Sequence, residues 1–219
     1  MKAMLYADWL NFRQSLRSIF FVLVVFAATA FVYRNPMFFA FIVVFLSIML
    51  PTTMFTADQA YGWNRLSLSL PILRRDVVGS KFVLSALANL VLAGLGLCLS
   101  AGYTVYTDPS ALSEAVFAIL VCEAVALTML GLLLVLSFRF GIEKARYIIM
   151  GCVWVPVLLI FVLEKFAWFT ALLDCAGAWL NAATLHTLTG AACALLAGSV
   201  AVYAVCWGIS VRLYRKTEL

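Results

Sequence analysis

Residues 56–81 read TADQAYGWNRLSLSLPILRRDVVGSK, and they form the one long polar interruption among segments that are otherwise strongly apolar. The stretch mixes charged side chains with large apolar ones. The charged residues are Asp58, Arg65, Arg74, Arg75, Asp76 and Lys81, and the apolar ones include Tyr61, Trp63, Leu66 and Leu70. The charges favour exposure to water, while the apolar side chains can contact a partner. This composition is typical of a docking element.

The local pattern predicts a short helix in this stretch. The helix can begin at Asp58, whose carboxylate can accept hydrogen bonds from the free N–H groups of a first turn. Apolar residues follow at helical spacing, namely Trp63, Leu66 and Leu70. The alternation of leucine and serine over residues 66–70 fits the two-residue period of a strand equally well, so we predict helix only to about Ser69. Pro71 ends it, because proline lacks an N–H donor and restricts the residue before it.

The composition of the whole chain predicts a membrane protein. Of its 219 residues, 66% are apolar and 11% are charged, and the mean hydropathy is +1.08, which lies far from the balance of a soluble domain. A spanning helix needs roughly 20 predominantly apolar residues. Six such runs occur, near residues 18–34, 37–55, 82–106, 114–138, 147–163 and 186–210. We therefore predict an all-α membrane protein with six transmembrane helices in a single domain, residues 1–219.

The basic residues predict the orientation of these spans. With the amino terminus in the cytoplasm, thirteen of the 15 basic residues lie on the cytoplasmic side: Lys2, Arg13, Arg17, Arg65, Arg74, Arg75, Lys81, Arg139, Lys144, Arg146, Arg212, Arg215 and Lys216. Only Arg34 and Lys165 fall outside. An excess of lysine and arginine marks cytoplasmic loops, so both termini are expected in the cytoplasm.

Two further segments lie outside the predicted spans. Residues 1–17 combine an apolar helical face with basic residues, which favours a helix lying in the membrane interface. Residues 164–184 are too apolar for an open loop but are broken by Asp174 and Gly177. This pattern fits two short re-entrant helices in the outer leaflet, with Trp168 and Trp179 at the level of the headgroups.

Glu123 is an ionisable residue deep inside the fourth predicted span. A charge at such depth costs about 2.5–3.5 kcal/mol on insertion scales, so the side chain should face protein or a water-filled cavity. It could line a translocation path for a cationic or amphipathic cargo. Alternatively, it could be a protonated carboxyl group that is hydrogen-bonded to a neighbouring helix.

Other chemistry-bearing residues give weaker signals. No cysteine belongs to a Cys-x-x-Cys pair, and five of the six lie inside apolar runs, which favours packing over a disulfide or metal framework. His186 has no clustered acid or cysteine, so a metal site is not expected. Gly190, Ala194 and Gly198 form a small-residue stripe that allows close packing within the subunit or across a dimer. The chain has no phosphate-binding loop that ends in Gly-Lys-Ser or Gly-Lys-Thr.

The interrupting stretch also resembles a known family. The residues that carry the resemblance are Phe55, Asp58, Gly62, Trp63, Leu68 to Pro71, Arg74, Arg75, Val77, Val78 and Lys81. Their order is similar to the segment between the second and third helices of bacterial type-2 ATP-binding-cassette (ABC) exporter permeases. Gln59 departs from the pattern, since the family often has a second acidic residue at this position.

The resemblance implies a function and partners. In that family this segment is a cytoplasmic coupling element that seats in a groove of a separate ABC ATPase subunit, which binds ATP and Mg²⁺. The implied contact residues are Asp58, Tyr61, Trp63, Arg65, Leu66, Leu70, Arg74 and Arg75. By the same resemblance, two copies, or one copy and a paralogue, would pair in the bacterial plasma membrane and export a hydrophobic or amphipathic peptide, toxin or drug.

Two other functions are compatible with the residues alone. A stand-alone secondary transporter could use six spans as an inverted repeat, although the two halves contain no matching broken segments. An intramembrane enzyme could use Glu123, but that chemistry needs a second acid, a nucleophile with its base, or a cluster of zinc ligands.

Overall fold

Six long α-helices make up most of the regular structure in the described part of the chain. The computed structural model describes residues 2–33, 37–60, 74–107, 112–163, 165–166, 170–171, 175 and 185–216. The helices are α1 (Lys2–Tyr33), α2 (Met37–Ala60), α3 (Arg74–Thr107), α4 (Leu112–Phe140), α5 (Ile142–Leu163) and α6 (Leu185–Lys216). The predicted all-α class is confirmed.

Four of these helices are long and apolar enough to cross a membrane. The candidate spans are Phe38–Ala60, Arg75–Thr107, Leu112–Phe140 and Leu188–Tyr214, and α1 contains a shorter apolar stretch, Ile19–Ala30. A multi-pass membrane protein is therefore confirmed. The predicted first and fifth spans are not among the four, and the six-span topology stays a prediction.

The amino-terminal helix differs from the expected arrangement. Residues 2–17 of the predicted interfacial helix (residues 1–17) and residues 18–33 of the predicted first span (residues 18–34) belong to one continuous helix of 32 residues. At 1.5 Å per residue this helix is about 48 Å long, which exceeds the roughly 30 Å of bilayer hydrocarbon. The physical reason for its continuity is that α1 contains neither glycine nor proline. Its amphipathic start extends the apolar part without a break.

The core is built around α4, which packs against α2, α3, α5 and α6. Leu130 and Leu134 of α4 are fully buried in one apolar cluster. The other buried members of the cluster are Phe55 of α2, Val78 and Phe82 of α3, Ile142 of α5 and Cys206 of α6. Five helices therefore meet at the carboxyl-terminal half of α4.

A second cluster joins α1, α2 and α3. It includes Phe12 of α1, Leu46 and Leu50 of α2, and Leu84 of α3. Further along α3, a methyl group added at Gly96 would lie 2.5 Å from Val43 Cγ2 of α2. The missing side chain therefore lets α2 and α3 approach closely, as small residues do in membrane bundles.

Candidate functional site

Buried charges join three helices at the two ends of residues 56–81. Lys81 of α3 forms ion pairs with Asp58 of α2 and, at 3.4 Å from Nζ to Oδ1, with Asp8 of α1. The Ser80 hydroxyl donates a hydrogen bond of 2.7 Å to Asp8 Oδ2. All four side chains are buried, and we call Asp8, Asp58, Ser80 and Lys81 the Lys81 joint.

The joint lies where α1 begins, α2 ends and α3 begins. Its charges are two carboxylates around one ammonium group, and the Lys81 ammonium also lies 5.0 Å from the centre of the Phe55 ring. Aromatic rings attract cations electrostatically. Because buried charges must be paired, these contacts hold the ends of α2 and α3, which bracket residues 61–73, against the start of α1.

Asp58 corrects one expectation. We predicted that a helix begins at this residue, but α2 continues through Asp58 to Ala60. The side chain is only 2% exposed, and its carboxylate forms an ion pair with Lys81. The carboxylate therefore does not cap a first turn, and the reason is a tertiary ion pair that neutralises the charge within the bundle.

The other predicted contact residues divide into two groups. Tyr61, Trp63, Arg65, Leu66 and Leu70 lie outside the described residues, as does most of residues 164–184. Arg74 is the first residue of α3, and its side chain is not described. Arg75 is exposed, and its guanidinium carbon lies 5.6 Å from the centre of the Trp207 ring on α6. Of the predicted contact residues, Asp58 therefore contacts α3 and Arg75 contacts α6.

Glu123 of α4 is buried and begins a chain of hydrogen bonds that runs through α3 to α2. Asn89 of α3 donates a hydrogen bond from Nδ2 to Glu123 Oε1, and Ser47 of α2 donates one to Asn89 Oδ1. The second carboxyl oxygen, Oε2, is buried without a hydrogen-bond partner among the described residues. This geometry favours the alternative in which the carboxyl group is bonded to a neighbouring helix. A place on a translocation path stays a prediction.

The comparison with known protein families decides the identity of this fold. A family model described as ABC-2 family transporter protein matches residues 3–215. The chain belongs to the ABC-2 transporter family. No curated protein matches it, and no solved structure does either.

Membership of the ABC-2 family confirms the resemblance found in residues 55–81. ABC-2 permeases are membrane transport components and not themselves catalytic, which counts against the intramembrane enzyme. They normally work with an ABC ATPase, which supports that kind of partner for this chain. The Lys81 joint and the Glu123 contacts are therefore features of a transporter subunit.

The sequence did not reveal that Asp8 pairs with Lys81, or that Asn89 and Ser47 lie beside Glu123. Asp8 lies three residues after Leu5 and four before Phe12, so helical spacing places it on the face of α1 that packs inward. An acid on such a face is a usable signal for a buried partner. Asn89 and Ser47 were missed because an uncharged polar residue in an apolar run gives a much weaker signal than Glu123 does.

The contacts of Glu123 predict how its substitutions behave. Glu123→Gln should lower the free energy of unfolding less than Glu123→Leu does, because the glutamine carbonyl can still accept from Asn89. Glu123→Leu removes that acceptor and should cost roughly 0.6–1.7 kcal/mol, the range measured for hydrogen bonds between membrane helices. Unfolding titrations in mixed micelles measure both values. Equal losses in the two variants would contradict a stabilising role for the hydrogen bond that Glu123 Oε1 accepts from Asn89.

Proposed function

We propose that this chain is the membrane-spanning subunit of an ABC exporter that is driven by a separate ATPase. Two copies, or one copy and a paralogue, form the translocation path, and each binds an ATPase subunit that holds ATP and Mg²⁺. The observation that carries the proposal is the Lys81 joint, which fixes the helix ends that bracket residues 61–73. A force applied to that segment would act on α1, α2 and α3 together.

The proposed topology places the joint on the cytoplasmic side of a bacterial plasma membrane. The helices α1, α2 and α3 contribute a beginning, an end and a beginning to it, as consecutive spans that alternate in direction require. At the other end of the pair α1 and α2, the rings of Tyr33 and Phe38 stack with centroids 5.3 Å apart. The positive-inside distribution of the basic residues supports a cytoplasmic location for both termini.

Dimerisation is supported by the free face of α6. Methyl groups added at Gly190 and Gly198 would meet nothing within 4 Å, and Ala194 between them is exposed. The stripe therefore does not pack within the described part of the subunit. The apolar character of the spans favours a hydrophobic or amphipathic cargo, and Glu123 is the one acidic residue that we place near its path.

Co-purification with the ABC ATPase encoded nearest to this gene tests the proposal. Wild type should form a stable complex, and the triple variant Trp63→Ala, Arg65→Glu, Leu66→Ala should bind at least tenfold more weakly, because tryptophan and arginine dominate binding energies at protein interfaces. The amount of ATPase retained per permease in detergent gives the readout.

A matched control removes similar apolar area elsewhere. Trp154 and Leu158 are exposed side chains of α5, and the double variant Trp154→Ala, Leu158→Ala should retain the ATPase. If a folded wild-type protein retained no ABC ATPase, the exporter assignment would be wrong. If the triple variant bound like wild type, the docking role of residues 61–73 would be wrong.

A further inference from the structure

A pocket with two arginines lies between the start of α3 and the end of α6. Its volume is about 420 Å³, and it is lined by Arg75, Trp207, Gly208, Val211 and Arg212. Among the described residues no acidic side chain lines it, and both arginines are exposed. The pocket is therefore a positively charged opening on the surface of the bundle.

The Trp207 ring forms one wall of the pocket. The indole nitrogen of Trp207 is buried and has no hydrogen-bond partner among the described residues. The Arg75 guanidinium lies over the same ring, 5.6 Å from its centre, and this contact keeps it beside the indole. Guanidinium groups bind phosphate oxygens through paired N–H donors.

The position of the pocket in the membrane indicates which kind of anion it can bind. Trp207, Gly208 and Arg212 belong to the candidate span Leu188–Tyr214, and Arg75 is the first residue of the candidate span Arg75–Thr107. The pocket therefore lies at the ends of two spans, at the depth where tryptophan side chains meet lipid headgroups. Above it, α6 exposes the small apolar side chains of Ala197, Ala201 and Ala204.

We propose that this pocket binds the headgroup of an anionic phospholipid. The phosphodiester accepts hydrogen bonds from Arg75 and Arg212, and one acyl chain lies along Ala201 and Ala204 of α6, between the pocket and the stripe that contains Gly198. Basic pockets between membrane helices on the cytoplasmic side bind anionic headgroups in this way. The inference rests on the chain lying in a membrane and not on coupling to an ATPase.

Native mass spectrometry of the purified full-length protein with added phosphatidylglycerol tests the site. Wild type should bind one phosphatidylglycerol molecule more tightly than the remaining ones, and more tightly than phosphatidylcholine. The double variant Arg75→Gln, Arg212→Gln should weaken that first binding step roughly tenfold or more, because each basic residue near an anionic surface contributes to binding.

A second variant fills the pocket and keeps its charges. A methyl group added at Gly208 would meet nothing within 4 Å, so Gly208→Leu should fold normally while its side chain occupies the space. It should also weaken the first binding step. Arg139→Gln is the matched control, because Arg139 is also an exposed arginine beside an aromatic ring, 5.0 Å from the centre of Phe140, and it does not line this pocket.

Several outcomes would overturn the proposal. Unchanged phosphatidylglycerol binding in the folded double variant would exclude this pocket as the site, and an equal loss in Arg139→Gln would show only general attraction between charges. Displacement of the lipid by inorganic phosphate at equal concentration would identify a phosphate site instead. If Gly208→Leu changed only the oligomeric state, a second copy of the chain would be the occupant.

Discussion

Replacing Lys81 by methionine should lower the free energy of unfolding by about 3–5 kcal/mol, the cost of leaving a buried charge without its partner. The substitution leaves Asp8 and Asp58 as two buried carboxylates with no counter-ion between them. They are 4% and 2% exposed, so water cannot replace the lost ammonium group. Unfolding titrations of the purified protein in mixed micelles measure the loss, and α1 should separate from α2 and α3 first.

The triple variant Asp8→Asn, Asp58→Asn, Lys81→Met separates the charge from the packing. It should recover most of the stability lost in Lys81→Met, because replacing a whole buried ion cluster by neutral groups is often close to neutral. Lys144→Met is the control, since Lys144 is exposed and an exposed substitution should stay within about 0.5 kcal/mol. If Lys81→Met cost no more than Lys144→Met, the joint would not hold the three helices.

The positions of the spans could be predicted from the sequence because hydropathy reports directly on the lipid environment. The second, third, fourth and sixth predicted spans all correspond to observed candidate spans. The observed helices are longer, and α3 begins at Arg74 rather than near residue 82. Hydropathy detects only the part of a helix that is in lipid, whereas backbone hydrogen bonding continues beyond it. The same limitation hid the continuity of α1, where the apolar and amphipathic parts differ in composition but not in conformation.

The role of Asp58 could not be predicted from its neighbours. Its partner Lys81 is 23 residues away, and Asp8 and Lys81 are 73 residues apart. Local patterns report on caps and helical faces, but a buried ion pair depends on which helices become adjacent in space. The sequence did identify Asp58 and Lys81 as members of one functional segment, through its resemblance to a family. It did not show that Lys81, paired with Asp58, also binds Asp8 and so holds α1 against α2 and α3.

Leu134→Ala should also have a large effect, a loss of roughly 2–3 kcal/mol in the free energy of unfolding. Leu134 is fully buried where α4 meets α2, α3, α5 and α6. In a soluble protein, part of such a loss comes from transfer out of water. Lipid is as apolar as leucine, so here the loss comes mainly from van der Waals contacts that the cavity removes. We therefore expect the lower part of the usual range.

Leu132 of the same helix provides the contrast that decides this argument. Its side chain is 43% exposed, so lipid can fill the space left by Leu132→Ala, and the loss should stay below about 0.5 kcal/mol. The two variants remove the same atoms from the same helix, and mixed-micelle titrations compare them directly. Equal losses would mean that α4 has no packed inner face. A large difference would show that contacts between helices hold α4 at the centre of the bundle.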